Sequence, residues 1–177
     1  IKKLSETMEQ SLKDIILSAT NSSSLNKVEL IQKLWSGYGS LKRVVFNDQS
    51  VILKLIKFPN ETNHPRGWNT DLSHERKARS YKIEMNWYQN FNRPIPHAKT
   101  PNLIQQGELQ GKEKFLILED LTTLGFSPKV RISNIQIELS LKWLANFHSH
   151  YLNVEPKKLW PIGTYWHLET RPDEFKA

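Results

Sequence analysis

Cysteine is absent from the 177-residue chain, which excludes disulfides, thiolate metal sites and cysteine nucleophiles. A cysteine-free chain shows no adaptation to an oxidising compartment, so a cytoplasmic location is expected. Long hydrophobic runs are lacking too, since stretches such as 51–53 are far shorter than the roughly 20 apolar residues that cross a bilayer. The first residues are polar and acidic where a signal peptide needs an apolar stretch. We therefore expect no membrane interaction, and the start at Ile1 suggests that an upstream piece has been removed.

Blocks of like charge are also missing, although the net charge is +7 and the sequence pI is about 9.5. Basic residues occur singly or in pairs such as Lys42-Arg43 and Lys157-Lys158. A disordered basic arm that binds nucleic acid needs a longer run of positive charge. The basic balance would also suit a phosphate-bearing ligand. We expect no nucleic-acid partner and rank a nucleic-acid-binding domain lowest among the possible functions.

The pattern of apolar residues predicts an α+β fold. Spacings of three and four residues indicate a leading helix over residues 3–19 and later helices around Ser73–Phe91 and Ser133–Tyr151. Between them lie β-rich runs separated by turn residues, which predict a five-stranded antiparallel sheet. The predicted strands are a run before the glycine turn at residues 37–39, then 41–46, 51–58, 102–109 and 114–118.

One lysine of the third predicted strand faces an apolar environment. Alternation along this strand places Lys54 between Ile52 and Ile56 on one face. An unpaired ammonium there costs several kcal/mol or lowers the pKa of the lysine. Glu84, on the helix that follows, is the natural partner. The alternative is that Lys54 belongs to an edge strand with its ammonium in water and that Glu84 is a solvated helix residue.

A glycine turn precedes this strand. Gly37-Tyr38-Gly39 lies between two strands, and glycine allows backbone amides to approach a phosphate closely. Alone, such a turn more often serves only to reverse the chain. Here the order is a glycine turn, a strand lysine and a helix glutamate, which is the order of these parts in the ATP site of protein kinases.

The sequence resembles the kinase-like family that includes aminoglycoside phosphotransferases, choline and ethanolamine kinases and ecdysteroid-kinase-like proteins. The resemblance extends from about Leu30 to the C-terminus. Residues Phe115–Leu121 look like the family's fifth strand and hinge, where backbone groups bind adenine. Residues Leu141–His148 are similar to the helix that opens the C-terminal lobe. Segments 63–69 and 163–168 look like the ecdysteroid-kinase-like branch.

The resemblance implies a protein-kinase-like N-terminal lobe over residues 1–121, with the hinge and the start of a helical C-terminal lobe over 122–177. It implies ATP as nucleotide, Mg²⁺ as its metal, and transfer of phosphate to a hydroxyl of a small molecule whose identity stays open. The residues implied to bind nucleotide are Gly37, Tyr38, Gly39, Ser40, Lys54, Glu84, Glu119 and Leu121.

One part of the family pattern is missing. Such kinases need an H-x-D catalytic loop followed by Asn and a later metal-binding Asp, and no histidine of this sequence begins an H-x-D. We therefore expect no catalytic residue in this chain, Mg²⁺ ligands only in an absent remainder of the lobe, and no phosphate transfer by this chain alone. A non-catalytic module that binds nucleotide or a protein partner is the alternative.

The predicted helix Ser133–Tyr151 carries apolar residues around much of its circumference. This width indicates burial on several sides. Residues 1–177 offer too little surface to cover it, so Leu141, Leu144 or Phe147 should be exposed to solvent or to another chain.

Overall fold

The computed structural model describes residues 10–58, 71–109, 113–162 and 167–171. The predicted start of the leading helix, segment 63–69 and most of segment 163–168 lie outside these residues. The helices are α1 (Gln10–Thr20), α2 (Asp71–Asn90) and α3 (Asn134–His150), and the strands are β1 (Lys27–Lys33), β2 (Gly39–Phe46), β3 (Gln49–Ile56), β4 (Leu103–Glu108) and β5 (Lys114–Glu119).

The five strands form one antiparallel sheet in the order β1-β2-β3-β5-β4. The turn between β2 and β3 consists of Asn47 and Asp48, both with positive φ, and these residue types tolerate that backbone conformation best after glycine. The register places Lys54 of β3 between Leu41 of β2 and Leu116 of β5. The α+β fold with a five-stranded antiparallel sheet, predicted from the sequence, is confirmed.

Each face of the sheet is covered by a different helix. On one face Leu12 and Ile16 of α1 pack with Leu53 of β3. On the other face Tyr81 of α2 packs with Ile56 of β3. The predicted alternation of β3 is confirmed, because its odd-numbered residues belong to the first core and its even-numbered residues face α2.

Helix α3 starts where the sequence places it. The Ser133 hydroxyl accepts a hydrogen bond from the Gln136 amide, and the Gln136 side chain accepts one from the Ser133 amide. This capping box satisfies two amides at the helix start. Further along, the Trp143 indole donates to the Lys99 carbonyl oxygen over 3.0 Å, which attaches α3 to the segment between α2 and β4.

The rest of α3 is largely exposed, so the expectation of burial on several sides is wrong. The exposed apolar residues of this helix are Ile135, Ile137, Leu139, Leu141 and Leu144. The reason is that, within the described residues, neighbours contact α3 mainly along the side that carries Trp143 and Phe147. The expected exposure of Leu141 and Leu144 is confirmed. No helix in the described ranges has the length and apolar character of a membrane span.

Candidate functional site

Lys54 and Glu84 form the ion pair expected from the sequence. The Lys54 ammonium lies 2.6 Å from both carboxylate oxygens of Glu84. The Lys54 side chain is 14% exposed and the Glu84 side chain 30%. The ammonium also lies 5.2 Å from the centre of the Tyr81 ring. A charge-assisted pair with both oxygens engaged holds the lysine in one position.

A cavity of about 340 Å³ lies along the hinge. Two of its lining residues, Leu41 and Ile52, are neighbours of Lys54. Leu41 is opposite Lys54 in the strand register, and Ile52 lies on the same face of β3 as Lys54. The other lining residues are Pro101, Leu118, Glu119, Asp120, Leu121, Thr122, Phe126, Ser127 and Pro128. The predicted hinge residues Glu119 and Leu121 therefore lie at the same cavity as the neighbours of Lys54. Its apolar walls suit a planar base.

Asp120, between these two hinge residues, is only 2% exposed. Its carboxylate accepts hydrogen bonds from Arg43 Nε at 2.6 Å, Ser50 Oγ at 2.7 Å and the Thr122 amide at 3.0 Å. Burial by itself raises the pKa of Asp120, but these hydrogen bonds outweigh burial and lower the pKa to about 2. The hinge is thus tied to β2 and β3 by a buried, charged carboxylate. Asp120 is not among the site residues predicted from the sequence, although an Asp that caps a turn before two threonines is a visible signal.

The Glu119 carboxylate is also occupied by protein groups. It accepts hydrogen bonds from Lys99 Nζ at 2.6 Å and from the Asn102 amide at 3.0 Å. Burial raises the pKa of Glu119, and these two donors lower it by more, so that the net shift is downward. Part of the hinge backbone is occupied as well, because the Glu119 amide donates to the Asn102 carbonyl oxygen and the Leu121 carbonyl oxygen accepts from the Phe126 amide. Leu121 begins a 3-10 turn, so its amide has no partner within that turn.

In the glycine turn, residues 37–40, two backbone amides are occupied by hydrogen bonds to carbonyl oxygens that precede the turn. The Gly37 amide donates to the Leu34 carbonyl oxygen and the Tyr38 amide to the Trp35 carbonyl oxygen. Gly39 has φ +123°, and a Cβ at this position would lie 1.9 Å from the Leu55 carbonyl oxygen. Gly39 is therefore required by the contact with β3. Phosphate binding by the amides of this turn stays a prediction.

Tyr38 connects the glycine turn to α2. Its side chain is buried, and its hydroxyl is hydrogen-bonded to His74 Nδ1 over 2.8 Å. The Tyr38 ring also lies 6.2 Å from the Tyr81 ring, which in turn contacts the Lys54 ammonium. Ser40 is half-buried, opposite Leu55 in β3. The structure thus brings the turn, Lys54 and Glu84 into one region, and places Glu119 and Leu121 at the adjoining cavity.

No protein-family model matches the sequence, and no curated protein matches it. Among solved structures, the chain is similar to a thermostable mutant of aminoglycoside phosphotransferase APH(4)-Ia, with 7% identity and a TM-score of 0.37 over 61% of this chain and 28% of that chain. It is similar to WbdD, with 15% identity and a TM-score of 0.42 over 72% and 26%. It is also similar to vaccinia related kinase 3, with 20% identity and a TM-score of 0.31 over 78% and 47%.

These similarities concern the fold of the shared part. The chain spans between about a quarter and a half of the length of these three structures.

Proposed function

We propose that this chain is the nucleotide-binding part of an ATP-dependent small-molecule kinase. The observation that carries the proposal is the Lys54–Glu84 pair, in which one ammonium contacts both carboxylate oxygens. Lys54 is on the same face of β3 as Ile52, which lines the hinge cavity. In kinases a strand lysine held by a helix glutamate neutralises phosphate oxygens of the nucleotide. The cavity would accept the adenine ring, and the Leu121 amide would donate a hydrogen bond to it.

We infer that the chemical step needs groups other than the described residues. The sequence contains no H-x-D, and no cluster of three or more His, Asp or Glu suited to a metal lies within the described residues. No ligand for Mg²⁺ is therefore identified among the described residues. What they supply is binding and orientation of the nucleotide, with phosphate transfer to a hydroxyl acceptor depending on groups elsewhere.

Titration of ATP into the purified chain by calorimetry tests the proposal. We expect Lys54→Met to weaken ATP binding by about tenfold or more, because a charge-assisted contact with phosphate is lost. Lys57→Met is the matched control, since Lys57 follows the same strand and pairs with Glu113 at 2.7 Å. A wild-type chain that does not bind ATP, or a Lys54→Met chain that binds it equally well, contradicts the proposal.

A non-catalytic nucleotide-binding module is the second candidate, and the missing H-x-D favours it for the chain as it stands. ATP turnover in the presence of amino alcohols, sugars or aminoglycosides distinguishes the two. We expect the 177-residue chain to bind ATP without forming ADP. ADP formation that disappears in Lys54→Met would mean that a catalytic base lies within these residues.

A further inference from the structure

A second lysine stands beside the Lys54–Glu84 pair. Lys77 lies two turns before Glu84 on the same face of α2. Its ammonium is 5.4 Å from the centre of the Tyr81 ring, and the Lys54 ammonium is 5.2 Å from the same centre. One aromatic ring therefore has two cations next to it, one from the sheet and one from the helix.

Among the described residues, the two lysines at this place have one carboxylate, that of Glu84, between them. Both oxygens of Glu84 are bonded to Lys54, and among residues 10–58, 71–109, 113–162 and 167–171 no carboxylate is within ion-pair distance of Lys77. Burial lowers the pKa of the half-buried Lys77, repulsion from Lys54 lowers it further, and Glu84 only partly opposes these effects. An anion bound between the two lysines would remove this repulsion.

The strand register shows on which side of Lys54 the second lysine lies. Along β3, Ile52 is opposite Leu118 at the hinge cavity, and Ile56 is opposite Gly39 at the glycine turn. The start of α2 is at the glycine-turn end, because His74 is hydrogen-bonded to Tyr38. Lys77, one turn after His74, is therefore farther from the hinge than Lys54.

We propose that Lys54 and Lys77 form a two-lysine site for a chain of linked phosphates, in which Lys54 contacts the phosphates nearer the hinge and Lys77 the outer ones. The proposal rests on the proposed function for the identity of the ligand as a nucleoside triphosphate. A chain of linked phosphates carries more negative charge than a single phosphate group, so two neighbouring cations attract it more strongly. The site therefore favours ATP over AMP by charge, independently of contacts with the base.

The test compares Lys77→Met with Lys82→Met. Lys82 is an exposed lysine of the same helix and serves as the matched control. ATP, AMP, adenosine and inorganic tripolyphosphate are each titrated by calorimetry. We expect Lys77→Met to weaken the binding of ATP and tripolyphosphate by about tenfold and to leave adenosine unchanged, whereas Lys82→Met behaves as wild type. Lys77→Arg, which keeps the charge, should retain most of the affinity for ATP.

The outcomes separate this proposal from the one on which it rests. If ATP binding depends on Lys54 but not on Lys77, the two-lysine site is wrong and the nucleotide-binding function stands. If ATP does not bind but tripolyphosphate binds in a Lys77-dependent way, the lysine pair stands and the nucleotide assignment falls. Circular dichroism confirms folding of each variant, and Lys77→Gln replaces Lys77→Met if the latter does not fold.

Discussion

The buried carboxylate of Asp120 joins three parts of the chain. It receives hydrogen bonds from Arg43 on β2, from Ser50 on β3 and from the turn that follows the hinge. The pKa of the Arg43 guanidinium is raised, mainly by the same hydrogen bond to Asp120. The Asp120 carboxylate thereby positions the hinge that lines the cavity.

Replacing Asp120 with asparagine should destabilise the chain in a pH-dependent way. Folding lowers the pKa of Asp120 to about 2, so its charged form stabilises the folded chain above about pH 4, and this contribution is lost as the pH falls toward 2. We expect Asp120→Asn to lower the free energy of unfolding by about 2 kcal/mol at pH 7, with a smaller difference near pH 2.5.

Urea unfolding followed by tryptophan fluorescence at several pH values measures this difference. Asp14→Asn, on the exposed side of α1, is the control and should change little. A constant difference across the pH range would show that Asp120 acts through its shape and not through its charge.

The two glycines of the same turn, Gly37 and Gly39, differ in whether the surrounding structure has room for a Cβ atom. At Gly39 a Cβ would meet the Leu55 carbonyl oxygen at 1.9 Å, whereas at Gly37, with φ +77°, nothing lies within 4 Å. We expect Gly37→Ala to cost about 1 kcal/mol from backbone strain alone. Gly39→Ala should cost more than about 3 kcal/mol, because β2 and β3 must move apart. Chemical denaturation of the two variants measures the contrast, and equal losses would refute the steric explanation.

At the scale of secondary-structure elements, α3 is distinguished by having no buried residue. Its start is stabilised by the capping box, and contacts such as Trp143 with Lys99 attach it to the rest of the chain. A helix that is packed on one side depends more on its own caps than a buried helix does.

Removing the cap should therefore affect α3 measurably. Ser133→Ala eliminates the hydroxyl that accepts from Gln136 and should cost about 1 kcal/mol. Ser140→Ala is the control, because the Ser140 hydroxyl bonds only to the Gln136 carbonyl oxygen within the same helix and its loss is nearly neutral. Hydrogen exchange of the first turns of α3 detects the local effect. Unchanged exchange in Ser133→Ala would contradict the role of the cap.

At the scale of the whole molecule, apolar side chains extend over the exposed face of α3 and the segment before it. Leu139 and Leu141 are each 59% exposed. Within the described residues no element covers this face, and contiguous exposed apolar area of this kind usually marks an interface.

This face should bind hydrophobic dyes and promote association of the purified chain. We expect Leu139→Lys with Leu141→Lys to reduce dye fluorescence and association severalfold while changing the free energy of unfolding by less than about 1 kcal/mol, because both side chains are already exposed. Ile31→Lys on the edge strand β1, where Ile31 is also exposed, is the comparison. Equal effects of the two changes would show that the face of α3 contributes no more to dye binding and association than another exposed apolar residue does. Light scattering and dye titration supply the measurements.

Local features of this protein follow from the sequence. The alternation along β3 determines that Lys54 is on the face toward α2, and the start of α3 at Ser133 follows from its cap and its apolar spacing. The pairing with Glu84 is also predictable, because a lysine among apolar neighbours needs an anion and the next helix offers one at a suitable place. Each of these depends on residues close in sequence or on one strong energetic requirement.

Other features were decided only by the tertiary structure. Arg43 and Asp120 meet across the sheet, and the register of β2, β3 and β5 brings them together. The need for glycine at residue 39 arises from the Leu55 carbonyl oxygen of the neighbouring strand. Lys77 is one of many lysines in the sequence, and only the docking of α2 on the sheet places it beside Tyr81 and Lys54. The physical reason is common to all three: long-range contacts depend on strand register and helix docking, which result from the packing of the whole core and leave no local pattern in the sequence.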